Sequence, residues 1–262
     1  MSVIYIDSYR FGAAYDPDAA AYIARVEGTS GDNQALETAV KDAINAFVVG
    51  CKADGIWNAI KASAILAGAR TLNGALQPLV GTAPNKFGTA ANWNYDRKDG
   101  LQGDGSTNYL DSNRNNNADP QDSKHVSVYA STLGSASSAY IGSGIGSTTG
   151  ISQIYSLEST GRYGSRSNSS TLYSGGPQVI GLLAWSRGSS SGYIARYGNT
   201  DYSISSASQT PNNNNLIVYN LPGLNYHTNA RLAFYSIGEA LDLALLDARV
   251  TTLINAFAAA IP

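Results

Sequence analysis

Charge is scarce in this chain. Asp, Glu, Lys and Arg supply 14% of its 262 residues, against about a quarter in an average protein. With 17 basic and 19 acidic residues the net charge is −2, which gives no long-range field to draw nucleic acid or an anionic membrane. Cys51 is the single cysteine, so an intrachain disulfide is excluded and stability falls to packing and assembly. It lies in a helical apolar pattern and reads as a buried, inert thiol. His125 and His227 are the two histidines. Neither sits near a Gly-x-Ser-x-Gly elbow or a His-rich metal spacing, and they read as a strand start and a turn. Glutamate occurs at Glu27, Glu37, Glu158 and Glu239 alone. None forms the alternating acidic strand motif of sandwich-type glucanases, and glycoside hydrolysis needs two carboxylates at a fixed separation. The expectation is no enzyme, no catalytic residue and no cofactor. No stretch approaches the ~20 apolar residues of a membrane span. Met1 to Arg10 shows neither the basic start nor the apolar core of a leader. Synthesis in a host cytoplasm without a signal peptide, and no membrane insertion, are expected.

What is present divides into a helical part and a strand-rich part. Asp16 and Pro17 make a helix start, with Asp16 as N-cap and Pro17 where its missing N–H costs nothing. A second start is predicted between Ser30 and Asp32. From there Leu36, Val40, Ile44, Phe47, Val48 and Cys51 recur at three- and four-residue spacing, with Gly55 as the cap. Ile56, Trp57 and Ile60 suggest a short turn, and 65–67 and 76–80 short strands. Residues 1–90 are read as a mainly helical assembly region. Residues 91–262 are read as the sandwich, with 83–124 rich in loops. From His125 onward the period drops to two: Val126, Val128 and Ala130 alternate with Ser127, Tyr129 and Ser131. Strand patterns then recur at roughly 8–12 residue spacing, as in an antiparallel sandwich. The segment 179–185 is nearly all apolar and reads as a central strand, with Gly188 turning the chain into 193–197. Asp242 caps a last amphipathic helix carrying Leu245, Leu246, Val250, Leu253, Ile254 and Phe257. The glycines between 142 and 150 have no βαβ context and read as turns or a bulge.

Asp99, Asp104, Asp111, Asp119 and Asp122, with Asn113 and Asn115 to Asn117, are oxygen-rich enough to raise calcium. Their spacing matches no EF-hand loop, and Asp and Asn favour turns because they bond their own backbone. No metal ligand is assigned, and the calcium question for 99–122 stays open. Seventeen Tyr stand against five Phe. Tyrosine suits half-buried strands, interfaces and stacking on sugars. Tyr163 with Arg162 and Arg166 falls on one candidate loop, and Tyr193 with Arg196 and Tyr197 near another. These six are the candidate glycan or partner contacts.

The run from Val49 through Gly50, Cys51, Lys52, Ala53, Asp54, Gly55, Ile56 and Trp57 to Ala62, followed by Gly103-Asp104-Gly105-Ser106 and Tyr109-Leu110, resembles tailed-bacteriophage virion proteins. These are built around a concanavalin A-like, laminin-G-like sandwich. The closing pattern Phe234-Tyr235-Ser236-Ile237-Gly238 with Leu241, then a helix, extends the likeness over about residues 36–260. The resemblance implies a mainly β jelly-roll sandwich with a helical N-terminal part and a C-terminal helix. It implies a structural protein on the virion exterior (tail fibre, tail tip or capsid-surface decoration). Such a protein acts by assembly with other virion proteins, as a homo-oligomer, and by surface binding. The alternatives are a lectin-like module contacting a host-surface glycan and, less favoured, a polysaccharide-degrading enzyme.

Overall fold

The structure is a computed structural model that describes residues 14–134, 137–144, 149–223 and 225–262, with only the backbone of Glu158. The opening segment read for a leader and the middle of the 142–150 glycine segment lie outside the described residues. Helix α1 (Pro17–Glu27) starts as expected, with the Asp16 carboxylate accepting from the N–H of Asp18. Helix α2 (Thr38–Ala53) starts later than the predicted 30–32. Residues 28–33 instead turn back on the end of α1. The Asp32 carboxylate accepts from the N–H groups of Arg70 and Thr71 and from the Thr71 hydroxyl. Gly74 makes room for it, since a Cβ there would lie 2.0 Å from Asp32 Oδ1.

A 3-10 turn at Trp57–Ala59 leads into β1 (Ile60–Ile65), a short α3 (Leu72–Ala75), β2 (Pro78–Val80), β3 (Asn85–Phe87), β4 (Asn94–Asp96) and β5 (Gly100–Gln102). Next come β6 (Tyr109–Asn115), β7 (Lys124–Thr132), β8 (Ala139–Gly142), β9 (Gln153–Leu157), β10 (Arg162–Arg166) and β11 (Tyr173–Pro177). The chain ends with β12 (Gly181–Arg187), β13 (Gly192–Tyr197), β14 (Thr200–Ser205), β15 (Asn215–Val218), β16 (Arg231–Gly238) and α4 (Leu243–Ala260). Among the described residues the strands form two antiparallel sheets packed as a sandwich, the fold class read from the sequence. One sheet runs β14-β13-β12-β7-β16-β1-β2, with β5 and β4 added beside β16; the other runs β11-β10-β9-β8-β15-β6-β3. The line expected near residue 90 crosses both sheets. Strand β1 lies between β16 and β2, and β3 borders β6 in the second sheet.

Alternation along the strands divides the buried residues into two clusters. Val126, Val128, Leu183, Trp185, Ile154, Tyr163 and Leu110 fill the space between the sheets. On the other side of the first sheet, Leu182, Ala184, Phe234 and Ile65 meet the stripes of α1, α2 and α4. Val40, Ile44, Phe47 and Val48 are all buried there, and the Phe47 ring stands edge-on to Phe234 at 5.7 Å. Each such side chain contributes roughly 1.5–3 kcal/mol by leaving water. A two-pronged ion pair from Arg249 to Asp54, at 2.7 and 2.8 Å, ties α4 to the end of α2. Among the described residues, α4 is long and apolar enough by composition to cross a membrane. Here its inner stripe packs on α2 and β12. The helices cover the first sheet, so it is termed the covered sheet. The second is termed the open sheet.

Candidate functional site

Of the six candidate contacts, Tyr163, Tyr193 and Tyr197 are buried rather than presented on loops, and Arg162 is exposed. Both segments are strands, β10 and β13, one in each sheet, and their tyrosines meet between the sheets. Tyr163 is fully buried, with its ring centre 5.6 Å from Tyr140 and 5.2 Å from Tyr197. Its hydroxyl donates to the Val179 carbonyl at 3.1 Å, and that of Tyr193 to the Ser165 carbonyl at 3.1 Å. Burial pushes the Tyr193 hydroxyl up to about 12 and those of Tyr163 and Tyr197 higher still. The small residues after Tyr163 read as a turn, yet they are what a tightly packed strand needs here. A Cβ on Gly164 would stand 2.9 Å from the mobile end of Leu172 and 3.2 Å from the Tyr173 carbonyl, a tight but adjustable fit. Arg196 points away from the tyrosines, its Nε 2.9 Å from Asp247 on α4 and its Nη1 2.6 Å from Asp201. Arg162 is exposed, and Arg166 is half-buried with Nε donating to the Ser170 carbonyl at 3.1 Å.

The acidic and amide residues of 99–122 are largely bonded to protein partners. Asp104 accepts from the N–H groups of Ser106, Thr107 and Asn108 at 2.8–2.9 Å and from two hydroxyls. Burial opposes its ionisation, but the Thr107 hydroxyl and these N–H groups outweigh it and hold the carboxyl far below the usual range. Asp111 accepts twice from Asn215, Asp119 pairs with Arg114 at 2.5 Å, and Asp122 accepts from the Ser208 hydroxyl. Asn115 bonds Asn213, and Asn116 bonds Asn212. Beneath them Lys124 is fully buried and donates to the carbonyl and side-chain oxygens of Asn116. Burial pulls its ammonium down to about 7, against the charge of Asp119. Among the described residues no three His, Cys, Asp or Glu side chains gather as a metal set.

The outer surface of the open sheet carries a different arrangement. Phe87 of β3 and Tyr109 of β6 are register partners and stack 4.8 Å apart, 8° from parallel. Tyr109 in turn lies 6.1 Å from His227. The Asn220 side-chain oxygen accepts from the N–H of Tyr226 at 3.1 Å, so its Nδ2 is the donor to His227 Nε2, also at 3.1 Å. His227 Nδ1 faces the Asn108 carbonyl 3.1 Å away. Tyr226 meets Tyr155 of β9 edge-on at 5.4 Å. Phe87 and Tyr226 are among the most exposed large apolar side chains described, at 42% and 36%. Asn220, Gly223, Asn225, Tyr226 and His227 line an open hollow of about 670 Å³. Two other hollows of similar size flank α4 on the covered sheet, one beside Ile194 and Leu241, the other beside Tyr129 and Ile180.

This ring-bearing surface was missed in the sequence. Phe87 and Tyr109 lay in a segment read as loops, and His227 was read as a turn. One signal was available: Tyr155 alternates with the core residue Ile154, which puts it on the outer face of its strand.

A scan of family models found no match, and a comparison with curated proteins found none. Among solved structures, a Trypanosoma rangeli sialidase in complex with a difluoro-KDN aligns with TM-score 0.43 and 8% identity. The alignment covers 76% of this chain and 33% of that one. Domain 4 of a GH43 extracellular arabinanase from Geobacillus stearothermophilus, solved with arabinotriose, aligns with TM-score 0.39 and 14% identity. There the coverage is 67% of this chain and 82% of that one. The same trypanosomal sialidase with sialic acid aligns with TM-score 0.40 and 9% identity, over 75% and 33% of the two chains. The chain thus spans about a third of the length of the sialidase chains it aligns with. The mainly β, two-sheet antiparallel sandwich with helices on one side stands on this chain's own strand pairing and packing. The expectation that the chain is no enzyme is withdrawn, because the aligned structures are a sialidase and a domain of an arabinanase. Hydrolysis becomes a quantity to measure.

Proposed function

We propose that this protein binds carbohydrate on the outer surface of the open sheet. The observation that carries this reading is the placement of the rings. Helices α1, α2 and α4 pack on the covered sheet, while the open sheet presents Phe87, Tyr109 and Tyr226 beside the amides of Asn220 and Asn225. A flat ring matches the apolar face of a sugar, and a planar amide can donate and accept to its hydroxyls. A single open site of this kind binds weakly, on the order of millimolar or about −4 kcal/mol. Repetition of the site on one assembly would raise avidity without new contacts.

A second reading concerns where such copies would be gathered. The resemblance at 49–62, 103–110 and 234–241 favours an exterior component of a tailed-phage particle. In that setting the helical layer contacts other virion proteins or further copies of this chain. The resembling segments are the end of α2 with Gly55 at φ +73° and the Asp104 turn with Gly105 at φ +72°. These are features of a scaffold rather than of a reaction.

Glycan-array binding by wild type and by the Phe87→Ala/Tyr226→Ala double variant tests the first reading, with released reducing sugar measured in parallel. Binding that the double variant loses at unchanged thermal stability is expected. Binding that survives both changes would place the site elsewhere. Mass spectrometry of purified particles tests the second reading, and absence of the chain from them would end it.

A further inference from the structure

The rings of the open sheet also follow the order of its strands. Phe87 is on β3, Tyr109 on β6 and Tyr155 on β9. The carbonyl of Tyr226 accepts from the N–H of Ala139 at the head of β8, and the N–H of Thr228 donates to the carbonyl of Tyr219 just past β15. Residues 226–228 therefore take up the position of β15 at this end of the sheet, between β6 and β8. Rings thus lie on β3, on β6, at the position of β15 and on β9, with none on the intervening β8, and ring centres are 4.8, 6.1 and 5.4 Å apart at three contacts. At ~4.8 Å per strand, four gaps make a row about 19 Å long.

We infer that this row takes an extended oligosaccharide several units long, laid across the strands. The inference rests on the carbohydrate reading above and narrows it. A single terminal sugar would call for an enclosing pocket, whereas these rings form a strip with one open hollow lined by Asn220, Gly223, Asn225, Tyr226 and His227. Phe87 and Tyr109 stack face to face and Tyr226 meets Tyr155 edge-on, so the rings form one elongated ridge, which suits a chain of repeating units better than one compact ligand.

The test uses the full chain on an array of neutral and acidic oligosaccharides. The strongest hit is then followed by calorimetry through a ladder of one to six repeating units. Affinity is expected to rise at least about tenfold between one unit and four. Phe87→Ala and Tyr226→Ala, each checked for an unchanged melting curve, should each weaken the longest member about three- to tenfold and flatten the ladder. If Tyr226→Ala unfolds, Phe87→Ala carries the same comparison from the exposed edge strand. Affinity complete at one unit, or a ladder unaffected by ring removal, would overturn the inference and leave the carbohydrate reading standing. No binding anywhere on the array would overturn both.

Discussion

Replacing Tyr163 separates the roles of the buried and exposed aromatics. The ring is fully buried between the sheets, in contact with Tyr140 and Tyr197, with its hydroxyl bonded to Val179. Tyr163→Ala removes the ring from a packed interior and leaves a cavity, a change that costs about 3–5 kcal/mol for large aromatics. Tyr163→Phe keeps the ring and removes one hydrogen bond, and should cost about 1 kcal/mol. Tyr226→Ala removes a comparable ring from a surface hollow and should stay within about 0.5 kcal/mol of wild type. Urea denaturation followed by tryptophan fluorescence measures all three, because Trp185 lies in the same inter-sheet cluster. The expected order places Tyr163→Ala far below Tyr163→Phe in stability, with Tyr226→Ala near wild type. A Tyr163→Ala variant as stable as wild type but deficient in glycan binding would refute the assignment of Tyr163 to the core and restore it as a contact residue.

Phe47→Ala should cost a similar 3–5 kcal/mol through the helix-to-sheet packing against Phe234, read as a lower melting temperature. Stability should rise from pH 4 to 6.5, by up to about 3 kcal/mol, because burial holds His125 at about 4 when folded against 6.5 unfolded. In that window the unfolded chain binds the proton and the folded chain does not. The same sign applies to Lys124 from about pH 7 towards 10.5, so the urea midpoint should climb above neutrality and Lys124→Met should flatten that climb. Above about pH 10 the buried tyrosines, whose hydroxyls are held high, reverse the slope. Asp104→Ala frees three backbone N–H groups of the turn that leads into Tyr109. It should cost about 1–2 kcal/mol by analogy with loss of a helix cap, and weaken glycan binding beyond that loss.

Local chemistry was legible where one residue type answers one local need. Asp16 with Pro17 and Asp242 cap the helices as read, and the stripe from Val40 to Val48 is buried. Apolar alternation located β7, and the apolar run at 179–185 located β12 between β7 and β13. Where inward positions are small or polar, the pattern fails. Strand β10 hides Tyr163 between Arg162 and Gly164, and β6 alternates Leu110 and Ser112 inward against Asp111 and Asn113. Both therefore read as loops. The start of α2 was misplaced because Asp32, a good cap by type, is engaged by Arg70 and Thr71 almost forty residues away. The ring row could not be seen from spacing at all. Its members lie at 87, 109, 155, 226 and 227, and only the strand order of the open sheet makes them neighbours.

The most direct test of the central claim is the position of a bound sugar. A crystal structure of the chain with the tightest-binding array oligosaccharide should show sugar rings against Phe87, Tyr109 and Tyr226, running towards Tyr155. Sugar seated instead in the hollows beside α4, or at the edge near Arg162, with the open sheet bare, would contradict it.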